Sequence, residues 1–106
     1  MLKPLYFVGS ALEDLRALPR APRREAGYQL DRVQYGLEPS DWKPLTAVGR
    51  GVREIRIHHE GQYRVIYVTK INDAVYVLHA FRKKTQKTRK QDVNIARRRL
   101  KEMKGT

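Results

Sequence analysis

Arginine and lysine are the residue types here that can do chemistry, and their placement is uneven. Over 106 residues the formal charge is +12, with 23 Lys and Arg against 11 Asp and Glu. Residues 1–50 hold +2 of that excess, residues 51–78 hold +1 and residues 79–106 hold +9. A polarity of this size points to a polyanion at one end of the molecule, nucleic acid first among them. Within the run Gly51 to Thr85, Arg53, Arg56 and Arg64 recur, and Arg82, Lys83, Lys84 and Lys87 follow closely. Such cations can clasp backbone phosphates without reading bases, and can stabilise a pentavalent phosphorane or ease deprotonation of a ribose 2′-hydroxyl.

Other chemistries are poorly provided for. There is no cysteine, which removes disulfides, zinc-thiolate sites and thiol nucleophiles. His58 and His59 are adjacent on a predicted strand, so they point to opposite faces and cannot chelate together. His79 is expected to share its strand face with Val75, Val77 and Phe81, as a core or rim residue that could carry a proton if it opened onto the basic rim. No spacing suits a metal and no Gly-rich loop suits a nucleotide cofactor, so none of either is expected. The N-terminus lacks the apolar run of a signal peptide, and no window approaches a membrane span, so a cytoplasmic protein with no membrane partner is expected.

The elements that must position the cations follow from periodicity. Val52–His58, Tyr63–Thr69 and Ala74–Arg82 read as three strands, with Glu60-Gly61 and Asn72-Asp73 as turns between them. Links this short favour an antiparallel meander. Alternation places Arg53, Ile55 and Ile57 on one face, and Glu54, Arg56 and His58 on the other. Arg64 then lies in a strand interior beside Ile66 and Val68, and must either pair with Glu54 or aim at a ligand phosphate. Convergence of Arg53, Arg56, Arg64 and Arg82-Lys83-Lys84 would make an anion site.

Upstream, Lys3–Val8 reads as a short edge strand, with Pro4 near its start. Ser10-x-x-Glu13 is a capping-box pattern for a helix from Ala11. A second helix carries Pro22 in its first turn, Ala26, Leu30 and Val33 on one apolar stripe, and Gly36 as C-cap. Glu38–Gly51 reads as the longest irregular segment, anchored by Trp42 and Leu45. Thr88-x-x-Gln91 starts a last helix from about Arg89 to Met103. Its stripe is Val93, Ala96, Leu100 and Met103, with Arg97, Arg98, Arg99, Lys101 and Lys104 covering the remainder.

The runs VREIRI, YRVIYV and VYVLHAFRKKTQKT, followed by a basic amphipathic helix, resemble the phage-derived Gp49-like proteins, HigB-type toxins of the RelE/ParE toxin superfamily. The likeness spans nearly the whole chain, and the HAF-x-KKT run is its most specific part. It implies a single toxin domain over residues 1–106 with a RelE-like α+β fold: an N-terminal strand, a helical hairpin and a C-terminal helix packed on a twisted antiparallel β-sheet. It implies the toxin of a type II toxin–antitoxin pair, a ribosome-dependent mRNA endoribonuclease that uses the 2′-hydroxyl as nucleophile and needs no metal or cofactor. The partners implied are mRNA in the ribosomal A site, ribosomal RNA and a HigA-like helix-turn-helix antitoxin. By motif, Arg64 is implied at the scissile phosphate and Arg56 in transition-state stabilisation. Lys83 and Lys84 are implied in phosphate contact and proton transfer, and His79 as an acid. Arg53, Arg82, Lys87, Arg89 and Lys90 are the remaining RNA- or ribosome-contacting candidates. A ParE-like inhibitor of DNA gyrase shares the fold and is the alternative; clustered cations favour the nuclease.

Overall fold

A computed structural model describes residues 2–86 and 89–105, with Lys70 described by its backbone alone. The meander forms as its pattern dictates. β3 (Arg53–His58), β4 (Gln62–Ile71) and β5 (Ala74–Lys83) pair antiparallel in sequence order. Asn72 and Asp73 both sit at φ 52°, the left-handed pair that a two-residue hairpin turn requires.

Two short strands, β1 (Leu5–Phe7) and β2 (Trp42–Pro44), complete the sheet, whose order is β1-β5-β4-β3-β2. β1 takes one edge and runs parallel to β5, so the sheet is mixed where an antiparallel one was expected. Its parallel sense follows from topology, because the helical segment between residues 11 and 34 carries the chain across before the meander begins. β2 takes the other edge, antiparallel to β3, within the segment read as irregular. Three residues, one of them proline, give too little alternation to signal a strand, and pairing with β3 supplies the order.

Helices cover both faces. α1 (Ala11–Arg16) and α2 (Arg20–Gln34) bury Ala11, Leu15, Ala26, Leu30 and Val33 against Ile55, Ile57, Val65, Tyr67, Val75 and Val77. α3 (Lys90–Met103) lays Val93, Ala96 and Leu100 on Ile66, Val68, Leu78 and Phe81, with Met103 at the margin. Each aliphatic side chain buried in these two layers contributes about 1.5–3 kcal/mol relative to exposure.

The helix ends only partly follow the sequence pattern. Ser10 makes no side-chain cap bond, so the expected capping box is not formed. Thr88, which opens the second such pattern, lies outside the described residues. The end of α2 does match: Gly36 at φ 83° lets its N–H reach the Val33 carbonyl while the Leu37 N–H reaches the Arg32 carbonyl. That is the doubly bonded left-handed stop that glycine supplies best.

Candidate functional site

One irregularity in β5 decides which side chains share a face. His79 pairs with Ile66 and Val77 with Tyr67, so Leu78 is an extra residue in the ladder. Val77 and Ala80, three apart, therefore both face the α1–α2 layer, while Leu78 and Phe81 both face α3. His79 consequently does not share the face of Val75 and Val77. It stacks on Phe81 at 4.9 Å between ring centres.

Beyond the bulge, the α3 side of the sheet carries the cations. Arg64 pairs across β3 with Arg56 and across β5 with Phe81, and Gln62 pairs with Lys83. Gln62, Arg64, Lys83, Lys84, Thr85 and Gln86 line an open depression of about 670 Å³ at this end of the sheet. Arg64 is its floor. The residue is only 4% exposed, and its Nη1 donates to the Tyr63 carbonyl at 2.8 Å. Its Nε stands 3.9 Å from Glu54 Oε1, too far for a hydrogen bond, and has no other hydrogen-bond partner among the described residues. A buried guanidinium N–H left in this state is costly, and a phosphate oxygen in the depression could accept from the same fork.

Acidic groups sort the cations into held and available ones. Glu54, wholly buried, lies 3.6 Å from Lys43 Nζ as well as beside Arg64. Arg56 is clamped by Asp41, with Nε and Nη2 at 3.0 and 2.9 Å from Oδ1, and His58 lies 3.6 Å from the other carboxylate oxygen. Burial lowers the Arg64 pKa from its ordinary value and the neighbouring Arg56 adds to this, while Glu54 and Asp41 oppose it. The guanidinium stays charged regardless. For Lys83 the consequence is larger in kind. Burial first, then Arg64, Lys43 and Arg56, pull its ammonium below the ordinary lysine value, against the pull of Glu54. Lys83 thus gives up its proton more readily than an ordinary lysine, a property of proton-transfer lysines.

The remaining expected site residues are dispersed. Arg53 lies on the opposite face, its guanidinium carbon 3.9 Å above the Trp42 ring centre, so it does not converge with Arg56 and Arg64. This contact accounts for Trp42 as a packing anchor. Arg82 is exposed and reaches over the Tyr63 ring at 5.9 Å, also on the α1–α2 side. Arg89 caps α3 and lies 3.4 Å from Asp92, Lys90 is exposed in the first turn, and neither lines the depression. Lys87 lies outside the described residues.

His79, expected as an acid at the rim, is instead enclosed. Its Nδ1 is 3.1 Å from Asp14 Oδ2 and its Nε2 is 2.9 Å from Asp92 Oδ1. Arg99 completes the group: expected outside, it is buried, donating to Asp14 at 2.6 Å and to the Leu78 carbonyl at 2.9 Å. The cluster ties α1, β5 and α3 together. Nothing local in the sequence announces it, because its hydrogen-bonded partners lie 13 to 85 positions apart. Glu54 had a signal, since alternation puts it on the face of Arg56; Asp41 and Lys43 had none.

A five-stranded mixed sheet with a helical hairpin on one face and a C-terminal helix on the other is an α+β arrangement consistent with a RelE-like fold. The model of the family described as Phage derived protein Gp49-like (DUF891) matches residues 13–101, and the chain belongs to that family. Membership is consistent with a toxin of a toxin–antitoxin system, and so with an antitoxin as partner. No curated protein matches the chain. No helix among the described residues is long and apolar enough to cross a membrane.

Proposed function

We propose that the protein is the toxin of a type II toxin–antitoxin pair that acts as a ribosome-dependent mRNA endoribonuclease in the cytoplasm, with a HigA-like helix-turn-helix antitoxin as its counterpart. The observation that carries this reading is the buried Arg64 fork at the floor of an open depression edged by Lys83 and Lys84. In the proposed reaction the ribose 2′-oxygen attacks the adjacent phosphorus, its proton leaves to a base, and the P–O5′ bond breaks. The 5′-oxygen takes up a proton and the other fragment keeps a cyclic phosphate. Arg64 would hold the non-bridging oxygens as charge builds on them, the kind of preorganised contact worth about 10²–10³ in rate. Lys84 would add charge from the rim, and Lys83 is the proton-transfer group that its lowered pKa favours. Arg56, neutralised by Asp41, contributes to the local field more than to direct contact.

The test expresses the chain in translating cells and maps mRNA 5′ ends. Codon-phased cuts that disappear in Arg64→Ala and in Lys83→Ala/Lys84→Ala are expected. Gyrase-dependent DNA damage with intact mRNA would instead establish the ParE-like alternative and end the nuclease reading.

A further inference from the structure

Lys84 borders two hollows. One is the depression over Arg64, and the other is a cleft of about 390 Å³. The cleft exists because β1 pairs with β5 only as far as Val77, so the last residues of β5 run on with no strand beyond them. Across from them stands the elbow between α1 and α2, Ala17 to Pro19. Leu18, Ala80 and Phe81 are buried and give the cleft an apolar floor, while Ala17, Pro19, Arg82 and Lys84 are exposed around it. The acid in its wall, Asp14, is already held by Arg99 and His79. Arg82 and Lys84 have no carboxylate partner among the described residues, so the rim keeps its positive charge.

We infer that the cleft receives the nucleobase of a nucleotide flanking the scissile phosphate in single-stranded RNA, an inference that rests on the nuclease reading of the depression. An apolar floor beside cations is the composition of single-strand sites, where bases leave water while phosphates are clasped. The Arg82 guanidinium is an exposed planar cation, and such a plane is a stacking face for an unpaired base. A duplex keeps its bases turned inward and could not offer one. Through Lys84 the two hollows are continuous, so one strand can set a phosphate in the first and a base in the second. Beyond the elbow, α2 opens with Arg20, Arg23 and Arg24 and no acid in its first turn, cations placed where the helix dipole is already positive. A polyanion running past the elbow relieves that repulsion.

The experiment titrates uniformly ¹⁵N-labelled protein with a single-stranded RNA trinucleotide, 2′-O-methylated so that no 2′-oxygen can attack, and with its abasic counterpart of equal charge. Both should shift the amides of Arg64 and Lys83. Only the base-bearing strand should shift those of Leu18, Ala80 and Arg82, and it should bind roughly tenfold tighter, as stacking of one base provides. Ala17→Leu narrows the cleft from an exposed position and leaves every charge in place. It should abolish that advantage without changing abasic binding. Absence of cleft shifts, equal affinity of the two strands, or an undiminished advantage in Ala17→Leu would each overturn the subsite and leave the nuclease reading to its own test. Cleft shifts in a protein that makes no codon-phased cuts would sustain the base site and end the nuclease reading. Tighter binding in the cleft by a capped Glu-Leu-Glu tripeptide than by RNA would assign it to a polypeptide and overturn the inference.

Discussion

Removing the Asp92 carboxylate tests the buried charge cluster most directly. Its side chain is 6% exposed and that of His79 is 8% exposed, so neither partner can recover full hydration if the other is lost. Breaking a buried pair of this kind costs about 3–5 kcal/mol, because the surviving charge stays buried. Two features place Asp92→Ala near the lower end. Asp14, the second acceptor for the imidazole, remains and is 26% exposed, and Arg89, the other partner of Asp92, is 43% exposed and loses little. A loss of about 3 kcal/mol is expected. With a urea slope of about 1.5 kcal/mol per molar, the midpoint should fall by about 2 M in equilibrium unfolding followed by circular dichroism. His79→Leu should cost a similar amount, since it leaves the Asp92 carboxylate buried with the half-exposed Arg89 beside it. In the double variant the effects should fall short of their sum by about 1–2 kcal/mol. Additivity within about 0.5 kcal/mol, or a loss below about 1 kcal/mol for Asp92→Ala, would refute the argument that these groups act as one buried charged unit.

Two further outcomes follow from backbone and charge. Lys83 has a folded-state pKa below its unfolded value, so its charged form is disfavoured by folding at neutral pH, and this penalty fades as pH rises towards 10.5. Lys83→Met should therefore stabilise the protein at pH 7 by less than about 1 kcal/mol, with the gain vanishing near pH 10.5, as thermal melts across pH would show. Gly36→Ala meets nothing within 4 Å, so its cost is purely that of the left-handed backbone at φ 83°, about 1 kcal/mol by chemical denaturation.

The sequence was most legible where the chain repeats a period with local partners. The stripes Ala26, Leu30, Val33 and Val93, Ala96, Leu100 are buried as their spacing requires, and the turn at Asn72-Asp73 closes the hairpin it signals. Arg64 was identifiable as an interior cation because its neighbours Ile66 and Val68 had to face inward. Legibility failed where a distant partner overrides the local rule. The extra residue at Leu78 breaks the alternation on which the placement of His79 depended, and no side-chain type in β5 marks it. Arg99 looked like one more solvent-facing arginine of a basic helix, and only Asp14, 85 positions earlier, makes its burial tolerable. Arg53 was placed by alternation on the face of Ile55 and Ile57, yet shared charge suggested that it and Arg82 would converge with Arg56 and Arg64, which the two faces of a sheet forbid. The strand at Trp42–Pro44 was hidden because it owes its order to β3 alone.

The parallel edge strand has a consequence for the order in which the molecule can assemble. Leu5 lies opposite Val75, so β1 cannot dock until the chain has reached β5, whereas β3, β4 and β5 need only hairpin closures. Short loops close quickly and long ones late, so the meander is the natural nucleus and the N-terminal strand the latch. Asp14, His79 and Asp92 sit along the same seam, joining the early-made helix to the last one. The surface bearing Arg64 and Lys83 belongs to the β4–β5 hairpin and the residues just after it, so it can take shape with the nucleus, before the latch closes.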